Sequence, residues 1–131
     1  MRNIFTGHAL VVEDNPVNQI VLKTQLEILG FTVEVAADGQ AALDLIKPEK
    51  FDVIFMDIQM PVMGGIECTE HIRRSEFQQI KEIPVIAVTA NVTREYRDSC
   101  EECGMDGFVS KPLNVEELVE QISLVLAAET T

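Results

Sequence analysis

The sequence predicts an α/β protein built on a parallel sheet. Three observations carry this reading. Short apolar runs recur along the chain, each ending in a polar residue: Ala9-Leu10-Val11-Val12 enters Glu13-Asp14, Val53 to Met56 enters Asp57, Val85 to Val88 enters Thr89, and Phe108-Val109-Ser110 enters Lys111. Runs of this kind are how fully buried strands read. Helical patterns bounded by caps and stops alternate with them. No linker, repeat or low-complexity segment interrupts the alternation, which is the signature of helices laid over a parallel sheet.

Each element can be justified in order. The first strand is read over about Ala9 to Glu13. Asn15 caps the following helix, Pro16 takes its first position, and Gly30 stops it. Phe31 to Ala36 is the second strand, Asp38-Gly39 the turn, and Gln40 to Ile46 a short helix. The third strand ends at Asp57. A loop over Ile58 to Gly64, containing Pro61, leads to a helix reaching about Ser75. Pro84 opens the fourth strand. Thr93 caps a helix running to about Cys103, and Gly104 ends it. Gly107 to Ser110 is the fifth strand. Asn114 followed by Glu117 resembles a capping box for the last helix, whose apolar face is Val115, Leu118, Val119, Ile122, Val125 and Leu126. Only Ala127 to Thr131 reads as a loose tail. The expected architecture is a flavodoxin-like (βα)5 sandwich: a five-stranded parallel sheet in the order 2-1-3-4-5, helices on both faces. Its switch point falls between the strands that end in Glu13-Asp14 and Asp57.

Composition narrows the function classes. At 131 residues and 47% apolar, the chain is sized for one domain with a real core, so its acidity is not that of a disordered tail. A net charge of -12 argues against direct nucleic-acid binding and against contact with an anionic membrane surface. No apolar run is long enough to cross a bilayer, and no signal peptide is evident. Three cysteines fit a reducing compartment, so a cytoplasmic location is expected. Cys100 and Cys103 form a lone C-x-x-C without two further ligands for zinc. They share a helix face with Tyr96 and read as small core residues. His71 reads as a surface residue, not a phosphoryl carrier.

The strand ends define the candidate site. In a parallel α/β sheet the C-terminal strand ends share one edge, where ligands bind. Glu13, Asp14 and Asp57 would meet there with Thr89 and Lys111. Two carboxylates ~4 Å apart repel by about 4 kcal/mol at an effective dielectric of about 20. A cation offsets that cost, and an all-oxygen cluster suits Mg²⁺, or Mn²⁺ in its place.

Several pieces, in this order, resemble the response-regulator receiver domain: Val11-Val12-Glu13-Asp14-Asn15, Met56-Asp57-Ile58-Gln59-Met60-Pro61, Gly64-Gly65, Val88-Thr89-Ala90, and Gly104 through Pro112. The resemblance covers Leu10 to about Leu126. It implies one domain over residues 1–131 with a core of about 8–127. It implies that Asp57 accepts a phosphoryl group from a phosphohistidine. Asp14, Glu13 through a water, Asp57 and the backbone carbonyl of Gln59 would hold Mg²⁺. Thr89 and Lys111 would contact the phosphoryl oxygens, and the Lys111-Pro112 bond would be cis. Thr89 and Phe108 would form a switch acting on the surface made by the last two long helices and the fifth strand. Asp14 to Asn18, Thr89-Ala90-Asn91, Cys100 and Gly104-Met105-Asp106 look like receivers attached to hybrid sensor histidine kinases. The implied partners are a histidine kinase, a histidine phosphotransfer domain, or both.

The first helix carries two apolar lobes. Val21, Leu22, Leu26 and Leu29 form one, and the resemblance places it against the sheet. Val17, Ile20, Thr24 and Ile28 form the other, expected to be exposed beside the acidic pocket. Clustered exposed apolar residues often mark a protein contact, so Val17, Ile20 and Thr24 are the candidate face for the phosphotransfer partner. Three alternatives compete. A haloacid-dehalogenase-like phosphatase needs a second Asp where Gln59 stands. A flavodoxin needs a hydroxyl- and glycine-rich loop where Glu13-Asp14-Asn15-Pro16 would repel an anion. A pseudo-receiver, an interaction module that is never phosphorylated, would not need the full acceptor set found here.

Overall fold

The computed structural model describes residues 4–47, 50–60 and 63–130, with side chains described as far as residue 127. The elements run β1 (Gly7–Val12), α1 (Pro16–Leu29), β2 (Phe31–Ala36), α2 (Gly39–Ile46), β3 (Val53–Asp57), α3 (Gly65–Arg73), α4 (Gln78–Lys81), β4 (Val85–Thr89), α5 (Arg94–Glu102), β5 (Gly107–Ser110) and α6 (Val115–Thr130). All four strand pairings are parallel, in the order β2-β1-β3-β4-β5. This is the expected flavodoxin-like sheet. Among the described residues no helix is long and apolar enough to cross a membrane.

The apolar runs are explained by burial on both faces. Strand side chains alternate between faces. Leu10 and Val12 of β1 join Ile54, Met56, Ala87 and Phe108 under α2, α3 and α5. Ala9 and Val11 join Val53, Phe55, Ile86 and Val109 under α1 and α6. β1 from Ala9 onward, β3 and β4 are buried throughout, so neither face tolerates a polar residue until the strand reaches the edge.

The caps form largely as read. Asn15 Oδ1 accepts from the Val17 and Asn18 amides at 2.9 and 3.1 Å, with Pro16 beside it. Asp38 accepts from Ala41 N–H at 2.9 Å and Thr93 from Tyr96 N–H at 3.4 Å. Asn114 accepts from Glu117 N–H at 3.0 Å, but the reciprocal half of the capping box does not form. The Glu117 carboxylate instead accepts from the amide and hydroxyl of Ser110 at 3.1 and 2.9 Å, which ties α6 to the end of β5.

Other boundaries differ from expectation. α3 ends at Arg73, and a separate one-turn helix, α4, follows it. The tail does not loosen at Ala127, because α6 continues to Thr130. Val21 is 45% exposed, so α1 buries only Leu22, Leu26 and Leu29. Three leucines at that spacing fill the stripe facing the sheet, and Val21 falls outside it. Pro61, read as part of the loop after β3, lies outside the described residues.

Arg73 unites the region around α4. Its guanidinium donates to the carbonyls of Gly104, Lys81 and Ile83 at 2.8 to 2.9 Å and to Asp106 Oδ2 at 2.9 Å. Asp106 also accepts from Val85 N–H at 2.9 Å. Gly104 adopts φ 104°, and a Cβ there would meet the Arg73 side chain at 2.9 Å. Glycine thus serves both the helix stop and the approach of the guanidinium.

Candidate functional site

The strand ends bring the acidic residues together. One carboxylate oxygen from each of Glu13, Asp14 and Asp57 lies within 4.8 Å of the others. Among the described residues this is the only group of three or more metal-capable side chains so placed. Glu13 and Asp57 are 3% and 6% exposed, whereas Asp14 faces solvent. β1 and β3 are neighbours in register, Val12 opposite Met56, which sets Glu13 beside Asp57.

Glu13 is fixed from several sides. Its amide donates to Ala36 O at 3.0 Å, its carbonyl accepts from the Gln19 side chain at 2.6 Å, and its carboxylate accepts from Asn15 N–H at 3.1 Å. Asn15 was legible as a cap but not as a donor to the pocket, a role that depends on the turn between β1 and α1.

Lys111 reaches the same pocket from β5. Its Nζ lies 3.0 Å from Glu13 Oε1 and 3.6 Å from Asp57 Oδ1. Its amide donates to Thr89 O at 2.9 Å, and the Lys111-Pro112 bond is cis. One ammonium thus serves two buried carboxylates, and their titration separates accordingly. Burial raises the Glu13 carboxyl, but the bonds from Lys111 and the Asn15 amide outweigh it and hold Glu13 below the usual range. Burial, reinforced by the Glu13 charge, pushes Asp57 up to about 6 against the opposing pull of Lys111 and the Gln59 amide.

The loop after β3 must pass close to Asp57. A Cβ on Gly65 would overlap the Asp57 carbonyl oxygen and lie 2.9 Å from Met56 Cγ. Only glycine lets α3 begin so near the strand. The Gly65 amide donates to Ile58 O at 3.0 Å, closing the turn. Gln59 stands exposed two residues beyond Asp57.

Thr89 ends β4, 3% exposed, its hydroxyl accepting from Asn91 N–H at 3.1 Å. Phe108 is 8% exposed, with the Arg97 guanidinium 4.6 Å over its ring. That cation–π contact needs a residue from α5 and could not be anticipated from β5 alone. Because α4 is an added turn, the surface expected to switch is α5-β5-α6.

On α1, Val17 and Ile20 are 68% and 66% exposed, and Thr24 and Ile28 are exposed beside them. A cleft of about 230 Å³ lies beside Glu13 and Lys111 and is lined on α1 by Asn18, Val21 and Leu22, not by Val17, Ile20 or Thr24. The remaining chemistry-bearing residues stay apart from the site. Burial pushes the Cys103 thiol up to about 11 and Cys68 up to about 12, so both are poor nucleophiles and poor ligands. His71 is exposed on α3.

Comparison with known proteins places this arrangement. Residues 9–123 match the response regulator receiver domain family. The chain is 39% identical, over 94% of its length, to Histidine kinase 3 of Arabidopsis thaliana, and spans 14% of that protein. It superposes with TM-score 0.84 and 35% identity on the receiver domain of a sensor histidine kinase from Pseudomonas aeruginosa, covering 94% of this chain and 99% of that one. That receiver carries a magnesium ion coordinated in its active-site cleft. It also matches, with TM-score 0.86 and 26% identity over 99% of this chain and 95% of the other, a structure of the Saccharomyces cerevisiae histidine phosphotransfer protein Ypd1 with the receiver domain of Ssk1. The chain therefore belongs to the response regulator receiver family, the phosphoacceptor modules of two-component signalling.

Proposed function

We propose that residues 1–131 form one receiver unit in which Asp57 takes a phosphoryl group from a phosphohistidine and passes it to a histidine phosphotransfer domain. The observation that carries this reading is the convergence of three carboxylates within 4.8 Å, with Lys111 Nζ 3.6 Å from Asp57. An Asp57 oxygen attacks phosphorus, the P–N bond breaks as the P–O bond forms, and the imidazole leaves. Lys111 and the Thr89 hydroxyl meet the phosphoryl oxygens, where charge must be neutralised. The donor set fits a hard divalent cation: oxygen ligands only, more negative charge than one ammonium offsets, and one ligand, Asp14, open to water. Glu13, Asp14, Asp57 and the Gln59 carbonyl would hold Mg²⁺, which supplies positive charge opposite the phosphoryl oxygens. Thr89 and Phe108 then couple the pocket to α5-β5-α6.

The phosphotransfer partner docks on Val17, Ile20 and Thr24 of α1. Their exposure supports this, as does the likeness to a receiver solved with a phosphotransfer protein. The unit acts in the cytoplasm, as part of a hybrid histidine kinase or beside one. Ile20→Asp tests the docking face. It should slow transfer from a phosphorylated phosphotransfer domain at least about tenfold, the weight of roughly 1.4 kcal/mol. Labelling by acetyl phosphate should stay unchanged. Equal loss of both, or unfolding, would place Ile20 outside a docking face.

A further inference from the structure

A second surface lies at the opposite edge of the sheet from Asp57. Phe51 and Ile83 stand just before β3 and β4, and Ile46 ends α2. With Phe77 and Ile80 they line a groove of about 400 Å³. A neighbouring depression of about 390 Å³ shares Ile46, Lys47, Phe77 and Ile80 and extends along Leu43 and Ile72. The floor is buried: Ile46, Phe51, Ile72 and Ile83 are each at most 4% exposed. Phe77 is 61% exposed and stands where the two depressions join.

The rim has the opposite charge to the rest of the molecule. The chain has 10 Lys and Arg against 22 Asp and Glu. Yet Lys47 and Lys50 border the first depression, and Lys47, His71 and Arg74 the second. Among the described residues, none of Lys47, Lys50 and Arg74 forms an ion pair. Glu76 is the sole carboxylate among the described lining residues. Cations left unpaired around an apolar floor, in so acidic a chain, form a complement for carboxylates.

We propose that this groove docks an acidic amphipathic helix of a partner protein. One large apolar side chain lies on each side of Phe77, and carboxylates of the partner face Lys47, Lys50 and Arg74. Two depressions sharing a wall offer seats for two apolar anchors from one face of a helix. An exposed aromatic between them is the usual kind of anchor in such contacts. The surface is remote from α1 and from Asp57, so both can be occupied while the pocket is in use.

The test uses a synthetic helical peptide with leucines at i, i+3, i+4 and i+7 and glutamates elsewhere, and a second peptide with lysines in place of the glutamates. Amide spectra of the labelled protein follow both titrations. The acidic peptide should shift Lys47, Phe51, Phe77 and Ile80 and bind at least about tenfold tighter than the basic one. Phe77→Ser should abolish the shifts, and Lys47→Glu with Lys50→Glu should reverse the preference, with acetyl-phosphate labelling unchanged in both variants. Equal binding of the two peptides, or shifts confined to α1, overturns the proposal. So does a self-association lost in Phe77→Ser, which would assign the groove to a second copy. Binding to phosphatidylserine-containing vesicles but not to the peptide would assign it to a membrane and overturn it as well.

Discussion

Replacing Asp57 with Asn should stabilise the protein, although it removes the proposed phosphoacceptor. Asp57 is raised from 3.8 to about 6 by burial and by the nearby Glu13 charge. The folded state therefore binds this proton more tightly than the unfolded chain. The cost of ionising it is absent below about 3.8, grows as pH rises toward about 6, and is fully present above. At about 1.36 kcal/mol per pKa unit the penalty is about 3 kcal/mol. Asn keeps the shape and removes the charge, leaving Lys111 to pair with Glu13 alone. In chelator at neutral pH, Asp57→Asn should gain up to about 3 kcal/mol, or roughly 10 °C in Tm for a chain of this length. Urea melts of both proteins across the pH range supply the measurement. The gap should close as pH falls below about 4 and narrow at neutral pH when Mg²⁺ is added. A variant less stable than the parent at neutral pH, or a gap that ignores pH, would refute this electrostatic reasoning.

Three further outcomes are expected. Lys111→Ala should slow acetyl-phosphate labelling about a hundredfold, the usual cost of losing a charged group at the transferring oxygens; initial rates measured by intact mass check it. Arg73→Ala should lower stability by about 2–4 kcal/mol through the loss of bonds to Gly104, Lys81, Ile83 and Asp106, with labelling retained; chemical denaturation measures it. A beryllofluoride adduct should move amides around Phe108, on the α5-β5-α6 surface, more than those around Phe31 on β2. Shifts limited to the loops touching Asp57 would argue against a switch.

The sheet and its acidic edge were legible because parallel strands buried on both faces leave polar residues only at their ends. That is why Glu13, Asp57, Thr89 and Lys111 could be placed before any coordinates. What escaped were features made by distant segments. α4 is one polar turn with no apolar period. The Arg73 bonds gather carbonyls from two distant parts of the chain, and a single arginine near a helix end does not announce them. Glu117 read as half of a capping box, yet Ser110 offers it two donors across the β5-α6 turn. Val21 fell on the wrong side of α1 because a helical wheel ranks angle, whereas the sheet accepts only as wide a stripe as Leu22, Leu26 and Leu29 already fill.

The central claim is that Asp57 is the phosphoacceptor and that the surrounding carboxylates make the reaction depend on a divalent cation. Intact-mass spectrometry after incubation with acetyl phosphate tests it most directly. The protein should gain the mass of one phosphoryl group with Mg²⁺ present, with little gain in chelator and none in Asp57→Asn. Undiminished labelling of Asp57→Asn, or equal labelling with and without Mg²⁺, would contradict it.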